Sequence, residues 1–503
     1  MNNNSTLHTT PEKIDPFRPQ YHFSPPANWA NDPNGLVYYA GEYHFFYQHH
    51  PHSNVWGPMH WGHAISRDLV NWQHMPIALF PDDNGMIFSG SAVVDWHNSA
   101  GFGKEALVLI YTIHQNAANH QRQSQGLAFS NDKGRTWTKF SKNPVLDAPL
   151  GVNDIRDPKV FWYDGNNPGH WVMTLAAGDC VRFYTSPDLK HWKFASIFGV
   201  EHGSHKGIWE TPDLFKLPLG NSGEYRWVLT VGVGGEGPGG PAGGTATQYF
   251  TGNFNGNTFT SENPPETTLW ADYGADYYAA QSWSDEPGGR RLMTAWMSNW
   301  DYAIHTPTTT WRSMFSLPRE LTLARTGSDI RLTQKPVPEL HTLREHTLEW
   351  NKYIFHPENN PFAAIKENCL EIEAEFAVTS QKGRFGFKVR AGDGEGTLIG
   401  YDMDTQQLFV DRRHSGEGNF LTGFNKIHYA SMPPLENKIK LHIFVDHSSI
   451  EVFGNDGMVT MTDLIFPAID NKHLEFFCES SEIEVIYLKI HQIKPARFTQ
   501  TQD

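Results

Sequence analysis

A short unit that recurs about every 60 residues constrains the fold of this chain most strongly. Ser66-Arg-Asp-Leu-Val-Asn-Trp72 returns as Ser186-Pro-Asp-Leu-Lys-His-Trp192, and a looser copy runs from Ser130 to Trp137. Each unit predicts a tight turn in which the Asp side chain bonds its own backbone, with the Trp packed between neighbouring units. The spacing suits one four-stranded propeller blade, so the roughly 300 residues from His22 to Leu323 would hold about five blades.

The rest of the pattern is also typical of strands. Short β-branched and aromatic runs alternate with turns rich in Gly, Pro, Asn and Asp, and no long stretch has helical periodicity. After about residue 335 a polar, charged segment is followed by alternating runs with tight turns such as Asn455-Asp456-Gly457, which predict a β-sandwich. We therefore predict an all-β protein with a disordered tail at 1–17, a five-bladed β-propeller at 18–335, a linker at 336–356 and a β-sandwich domain at 357–503.

Composition limits the class of ligand. The formal net charge is −15, which argues against nucleic acid, because proteins that bind it need a basic surface to displace counterions. The same acidity disfavours anionic membranes. The chain has 17 Trp, and although most of these rings should fill a β-rich core, an aromatic face also matches the C–H face of a sugar. A neutral substrate best fits an acidic chain that is rich in aromatic residues.

The cysteines and the N-terminal residues bear on cofactors and location. Cys180, Cys369 and Cys478 are odd in number and far apart, so they predict neither a disulfide framework nor a zinc cluster. The histidines at 49, 50 and 52 are read as part of a loop, and no metal or cofactor is expected. Because the first residues lack an apolar core and no run of about 18 apolar residues exists, we expect a cytoplasmic protein with no membrane partner. Removal of a leader from a secreted protein would leave the same pattern.

Three carboxylates lie in separate clusters at least about one repeat apart. Asp32 lies in a turn-like segment, Asp157 follows Arg156, and Glu210 lies in an apolar setting. Each has a plain structural interpretation, namely a β-turn, a surface ion pair and a buried Glu paired with Lys206. In a propeller, however, equivalent inner positions of successive blades converge on the axis, where all three would meet. Two carboxylates, one ionised and one protonated, are what glycoside hydrolysis requires.

Four motifs in this order resemble glycoside hydrolase family 32, the family of invertases, exo-inulinases and levanases. They are WANDPNG at 29–35, FSGSA at 88–92, RDP at 156–158 and WETPDLF at 209–215. The resemblance covers nearly everything after about residue 18 and implies the same propeller and sandwich. It also implies that Asp32 is the nucleophile, Glu210 the acid/base and Asp157 the transition-state stabiliser. The substrate-binding residues that it implies are Trp29, Asn31, Gln48, Trp56, Phe88, Ser89, Arg156 and Trp296.

Two positions depart from the family pattern. Ala30 stands where Met is usual, which we interpret as a change in packing beside Asp32. Thr211 stands where Cys is common, next to Glu210, where it is expected to tune the acidity of that group. These departures put the pH optimum in doubt and leave the catalytic roles unchanged.

The resemblance implies a retaining exo-β-fructosidase that hydrolyses terminal β-fructofuranosyl residues of sucrose, levan, inulin and fructooligosaccharides. Residues 82–92 and 238–250 look like those of exo-acting enzymes on fructans, whereas a chain without a leader would meet sucrose and short oligosaccharides. A fructosyltransferase would use the same residues, and a non-catalytic sugar-binding propeller would not need all three carboxylates. A related five-bladed arabinan hydrolase fits less well, because WANDPNG and WETPDLF occur together. Any homo-oligomer is expected to form through the β-sandwich.

Overall fold

The computed structural model describes residues 15–117, 120–152, 154–234, 239–356, 360–378, 382–479 and 482–501. Within these ranges the chain forms strands in seven sheets and two 3-10 helices, Ala303–His305 and Pro338–Leu343. The prediction of an all-β protein is confirmed. Of the tail predicted at 1–17, all but the last three residues lie outside the described ranges. Among the described residues, no helix has the length and apolarity that a membrane crossing needs.

Five largely antiparallel sheets follow one another along residues 28–336. The first holds β1 (Asn28–Tyr39), β2 (Glu42–His50), β3 (His60–Ser66) and β4 (Trp72–Leu79). The second holds β5 (Met86–Asp95), β6 (Ala106–Ala117), β7 (His120–Ser130) and β8 (Thr138–Lys139). The third holds β9 (Ile155–Tyr163), β10 (His170–Ala177), β11 (Cys180–Ser186) and β12 (Lys193–Phe198).

The fourth sheet holds β13 (Trp209–Pro218), β14 (Tyr225–Val233), β15 (Ala246–Phe254), β16 (Phe259–Ser261) and β17 (Leu269–Trp270). The fifth begins with β18 (Tyr278–Ser282) and β19 (Arg291–Met297), and after β20 (Trp311–Arg312), which pairs with β1, it continues with β21 (Met314–Phe315), β22 (Arg319–Thr326) and β23 (Asp329–Pro336). The five first strands, β1, β5, β9, β13 and β18, form a closed ring, because each packs against the first strands of two neighbouring sheets.

The recurring sequence units occupy equivalent turns, each between the third and fourth strand of a sheet. In the first sheet, Asp68 Oδ1 accepts hydrogen bonds from the amides of Val70 and Asn71 at 3.0 and 2.8 Å. In the second and third sheets, Asp132 and Asp188 accept bonds from amides two to four residues ahead in the same way. The predicted turn is therefore present in all three copies, and it depends only on groups within a few residues of one another.

The C-terminal residues form two further sheets. One holds β24 (Arg344–Phe355), β25 (Leu370–Ala377), β30 (Lys438–Val445), β31 (Ser449–Gly454), β32 (Val459–Leu464) and β34 (Ile483–Ile493). The other holds β26 (Arg384–Gly392), β27 (Glu395–Asp402), β28 (Gln407–Asp411), β29 (Ile427–Ser431) and β33 (His473–Cys478). A single hydrophobic cluster takes side chains from both, so the two sheets pack face to face. The last strand, β35 (Phe498–Gln500), returns to the first sheet and pairs with β4.

The segment predicted as a linker, 336–356, is regular structure. It contains the second 3-10 helix and β24, which pairs with β34 from Arg344 to Phe355. β24 lies at the edge of its sheet and most of its side chains are exposed. An exposed edge strand does not need apolar residues at alternate positions, and this explains why the sequence pattern did not reveal it.

Buried charges join the two halves of the chain. Arg319 on β22 donates to Glu451 on β31 at 3.2 Å through Nε and to Asp272 at 3.0 Å through Nη1. Arg412 donates to Asp276 at 2.9 Å, again from one half to the other. All of these side chains are almost completely buried. Charges without access to water are tolerated only when they are paired, so this network fixes how the halves dock.

Candidate active site

The first strand of every sheet in the ring is bulged near the same end. At each bulge, two consecutive residues of the first strand face one residue of the second strand. The pairs are Asn31–Asp32, Phe88–Ser89, Asp157–Pro158, Thr211–Pro212 and Ala279–Ala280. A bulge bends a strand and re-aims its side chains. The turn suggested by the sequence around Asp32 is thus a bulge inside β1.

These bulges direct side chains from separate sheets into one funnel at the end of the ring. The funnel has a volume of about 390 Å³. It is lined by Asn31, Asp32, Gln48, Trp56, Phe88, Ser89, His114, Asn116, Gln121, Gln123, Asp154, Arg156, Asp157, Glu210 and Trp300. The structure therefore brings together all three predicted carboxylates and every predicted binding residue except Trp29 and Trp296.

Asp32 is held by two side-chain donors. Ser89 Oγ donates to Oδ2 at 2.6 Å, and Asn31 Nδ2 donates to Oδ1 at 2.9 Å. Burial raises the pKa of Asp32, the charge of Glu210 raises it further, and the bonds from Ser89 and Asn31 lower it. The two donors thus favour the ionised form against the effect of burial and orient the carboxylate, and an ionised, oriented carboxylate is what a nucleophile requires.

Glu210 has a donor on each carboxylate oxygen. Arg156 Nη2 donates to Oε1 at 2.8 Å, and the Tyr278 hydroxyl donates to Oε2. Arg can only donate, whereas a Tyr hydroxyl can donate or accept. When Glu210 carries a proton, the proton must therefore lie on Oε2. Burial and the charge of Glu210 raise the pKa of Tyr278 well above its ordinary value, so this hydroxyl stays protonated.

Asp157 lies deeper in the funnel and is nearly fully buried. Its Oδ2 accepts a bond from the Thr211 amide at 2.9 Å and lies 3.9 Å from Arg156 Nε. Burial, opposed by Arg156 and reinforced by the charges of Glu210 and Asp32, raises the pKa of Asp157 to about 7. The Asp157 carboxyl therefore exchanges its proton near neutral pH.

Thr211 acts on a different acid from the one expected. Its hydroxyl has no hydrogen-bond partner within the described ranges, and its amide donates to Asp157 rather than to Glu210. Its φ is +49°, a conformation that is strained for a β-branched residue. The bulge of β13 and the bond to Asp157 hold it there, so Thr211 positions the carboxylate of Asp157. Ala30, the other departure, is fully buried in a hydrophobic cluster, in agreement with a packing role.

Two of the four predicted aromatic residues lie behind the wall of the funnel. Trp29 and Trp296 are fully buried and do not line the funnel. Trp29 Nε1 instead donates to Asn31 Oδ1 at 2.7 Å and so orients the amide that holds Asp32. Trp300 packs against both rings, with centroids 5.9 Å from Trp29 and 4.8 Å from Trp296, and presents its own surface to the funnel. Trp56 and Phe88 therefore line the funnel as predicted, whereas Trp300 takes the place that was predicted for Trp296.

The sequence did not reveal several residues of the site. Tyr278 lies in the stretch 272–281, which resembles the family, and a search for a hydroxyl beside the acid/base would have found it there. His114, Asn116, Gln121 and Gln123 lie on β6 and β7 and belong to no motif. They reach the funnel because the second sheet packs beside the first, and nothing local in the sequence reports this.

Comparison with known proteins gives independent information on the family of this chain. The chain matches the glycosyl hydrolases family 32 N-terminal domain over residues 22–336 and the family 32 C-terminal domain over residues 339–492. It is 52% identical over 487 residues to a levanase of Bacillus subtilis, covering 95% of this chain and 70% of that protein. The fold is similar to an exo-inulinase from Aspergillus awamori, with a TM-score of 0.88, 36% identity and coverage of 96% and 99%. It is also similar to a β-fructofuranosidase from Schwanniomyces occidentalis complexed with fructosyl-erythritol, with a TM-score of 0.85, 31% identity and coverage of 95% and 98%.

A funnel with paired carboxylates, on a fold shared with these proteins, defines a glycoside hydrolase. The two domain matches together span nearly the whole of the described chain. The chain belongs to glycoside hydrolase family 32, as its motifs predicted.

Proposed function

We propose that this chain is a retaining exo-β-fructosidase that releases terminal β-fructofuranosyl residues from sucrose and from fructans such as levan and inulin. The observation that carries the proposal is the meeting of Asp32 and Glu210 in one funnel, where the charge of Glu210 raises the pKa of Asp32. The similar proteins support it, because they are named as a levanase, an exo-inulinase and a β-fructofuranosidase.

The contacts assign a separate task to each acid. The Asp32 carboxylate attacks the anomeric carbon while Glu210 Oε2 gives its proton to the departing oxygen, which leaves a covalent fructosyl-enzyme. Glu210 then takes a proton from water, and the water oxygen displaces Asp32. Asp157 accepts hydrogen bonds from sugar hydroxyls, and in its ionised form it stabilises the positive charge that develops on the sugar ring. Arg156 stays charged and balances the acids around it.

Exo action is supported by a plug of side chains directly beyond the carboxylates. Lys159, two residues after Asp157 on β9, forms a buried ion pair with Asp213 on β13 at 2.9 Å. The same lysine donates to the carbonyl oxygen of Ser282 on β18 at 2.7 Å. These contacts link the first strands of three sheets behind the carboxylates, which supports a pocket that takes the end of a sugar chain.

The architecture of the N-terminal sheets is inferred from the closed ring of their first strands. We propose that the five sheets are the blades of a five-bladed propeller, supported by the closed ring of first strands and by the equivalent repeat turns. We also propose a boundary between the propeller and the sandwich domain near residue 336, where one domain match ends and the other soon begins. A cytoplasmic location and self-association through the sandwich domain stay predictions, to be tested by fractionation and by the molecular mass in solution.

The test is sugar release from sucrose, inulin and levan by the wild type, Asp32→Asn and Glu210→Gln. Loss of a nucleophile or of a general acid should lower kcat by about 100-fold or more. Asp329→Asn, which alters an exposed carboxylate on β23, should keep the wild-type rate. Near-wild-type rates in either active-site variant would refute the mechanism. Free fructose as the main product supports a hydrolase, whereas longer oligosaccharides would identify a fructosyltransferase.

A further inference from the structure

A second cavity, which the proposed reaction does not use, lies beside the funnel. This cavity, the side groove, has a volume of about 680 Å³ and lies between the start of β7 and residues 147–152 and 154–155. Gln121, Gln123 and Asp154 line both the funnel and the side groove, so the two spaces adjoin. Arg122 Nε donates to Asp147 Oδ1 at 3.1 Å and ties β7 to the far wall.

A chain of hydrogen bonds fixes one amide at this junction. Gln123 Nε2 lies 3.3 Å from His114 Nδ1, and His114 Nε2 lies 2.9 Å from Asn116 Oδ1. Because the amide nitrogen of Gln123 can only donate, Nδ1 accepts and the proton of the neutral ring lies on Nε2. The His114 ring then donates to Asn116 Oδ1. The Asn116 Nδ2 group is left as the donor that this side chain offers to a ligand.

The ring of His114 is held in place independently of these bonds. It stacks flat on Phe88, with centroids 4.1 Å apart and an angle of 4° between the planes. Burial lowers the pKa of His114, which keeps the ring neutral and preserves the order of donors and acceptors. Gln123 is also nearly fully buried, and within the described part of the chain its Oε1 has no partner.

The chemistry of this wall suits an uncharged, hydroxyl-rich chain. Asn116 and Gln121 present amides, which can each donate to and accept from sugar hydroxyls. The carboxylate of Asp154 is already bound by Arg156 Nη1 at 3.0 Å. In the groove, Leu150 is fully exposed beside Pro149, so this wall offers an apolar contact next to the amides.

We propose that Asn116 binds the first sugar unit on the leaving-group side of the scissile bond, and that Gln121 and the rest of the side groove hold the next units of a fructan. His114 and Gln123 are positioning residues that act through Asn116. This inference rests on the proposed function, because it requires the terminal fructose to lie at the carboxylates. The plug of Lys159 and Asp213 then directs the rest of the chain to the mouth, where these amides stand.

The experiment compares kcat/KM on levan or inulin with kcat/KM on sucrose, whose leaving group is a single sugar. Gln121→Ala and Leu150→Ser should each lower the fructan-to-sucrose ratio by about threefold to tenfold, the effect of one or two lost contacts. Gln500→Ala, an exposed glutamine on β35, is the matched control and should leave the ratio unchanged. A ratio within twofold of wild type in both groove variants would overturn the proposal. Inactivity of the wild type on all three substrates would instead overturn the proposed function.

A double-mutant cycle tests the positioning role. His114→Phe keeps a ring on Phe88 but removes the donor to Asn116, so it should raise KM about as much as Asn116→Ala and leave kcat nearly unchanged. The double variant should be no worse than Asn116→Ala alone, because both changes remove the same contact. Additive losses, or a fall in kcat without a rise in KM, would show that His114 does not act through Asn116.

Discussion

Replacement of Ser89 by Ala removes one contact from Asp32 and little else. Ser89 Oγ donates to Asp32 Oδ2 at 2.6 Å, and this bond is one of three that lower the pKa of the carboxyl against the effect of burial. The bond stabilises the ionised form, so its loss must raise the pKa of Asp32. A hydrogen bond to a charged group contributes about 1.5–3 kcal/mol, which corresponds to a shift of about one to two pH units.

The assay is the pH dependence of kcat/KM on sucrose. Asp32 must be ionised to attack, so in Ser89→Ala the acidic limb should move about one unit or more toward higher pH. At a pH on that limb the variant should be about tenfold slower than the wild type. Asp157 titrates with Asp32 as part of one coupled group, but Ser89 has a hydrogen bond only to Asp32, so the direction of the shift is fixed.

Ser91 provides the matched control for this variant. It lies two residues further along β5 and is equally buried, and its hydroxyl bonds the backbone of Pro158 and Val160 instead of an acid. Ser91→Ala should therefore leave the acidic limb in place. An unmoved limb in Ser89→Ala, or an equal shift in Ser91→Ala, would refute the assignment of the limb to Asp32.

Three further variants test other parts of the structure. Tyr278→Phe removes the donor from Glu210 Oε2 and should lower kcat/KM about tenfold in a steady-state assay. Gly234→Ala places a methyl group against Glu210 Oε2 and the Tyr278 hydroxyl, so kcat should fall while the thermal midpoint changes little. Arg319→Met removes the guanidinium between Glu451 and Asp272 and leaves buried Asp272 without its ion-pair partner, so it should lower the free energy of unfolding by about 3–5 kcal/mol in a denaturant titration.

A different result would contradict each of these three predictions. Tyr278→Phe with wild-type kinetics would show that the hydroxyl does not hold Glu210, and Gly234→Ala with wild-type kcat would show that the acid has room to move. The control for Arg319 is Arg331→Met, which breaks the more exposed pair with Asp329 and should cost less than about 1 kcal/mol. Equal losses in the two arginine variants would contradict a special role for the buried network.

The sequence alone was sufficient to predict those features of the structure that depend on residues close together in the chain. The repeat turns were predicted correctly because Asp68, Asp132 and Asp188 bond amides a few residues ahead of them. The strands followed from short apolar runs between turn residues, and the family motifs marked the three carboxylates. Each of these signals is carried by side chains that are close together in the chain.

Tertiary structure decided what depends on partners distant in sequence. A bulge at Asp32 exists only in relation to the partner strand β2, so the sequence alone suggested a turn. β24 is a strand because β34 pairs with it, although its own residues are polar and exposed.

The walls of the funnel also depend on contacts between residues that are distant in sequence. Trp300 packs against Trp29 and Trp296, and this packing leaves Trp300 at the funnel and buries Trp296 behind it. Asn116 and Gln121 reach the site only because the second sheet packs beside the first. The sequence by itself thus predicted the three acids that meet in the funnel, and the packing of the sheets around their ring decided which side chains surround them.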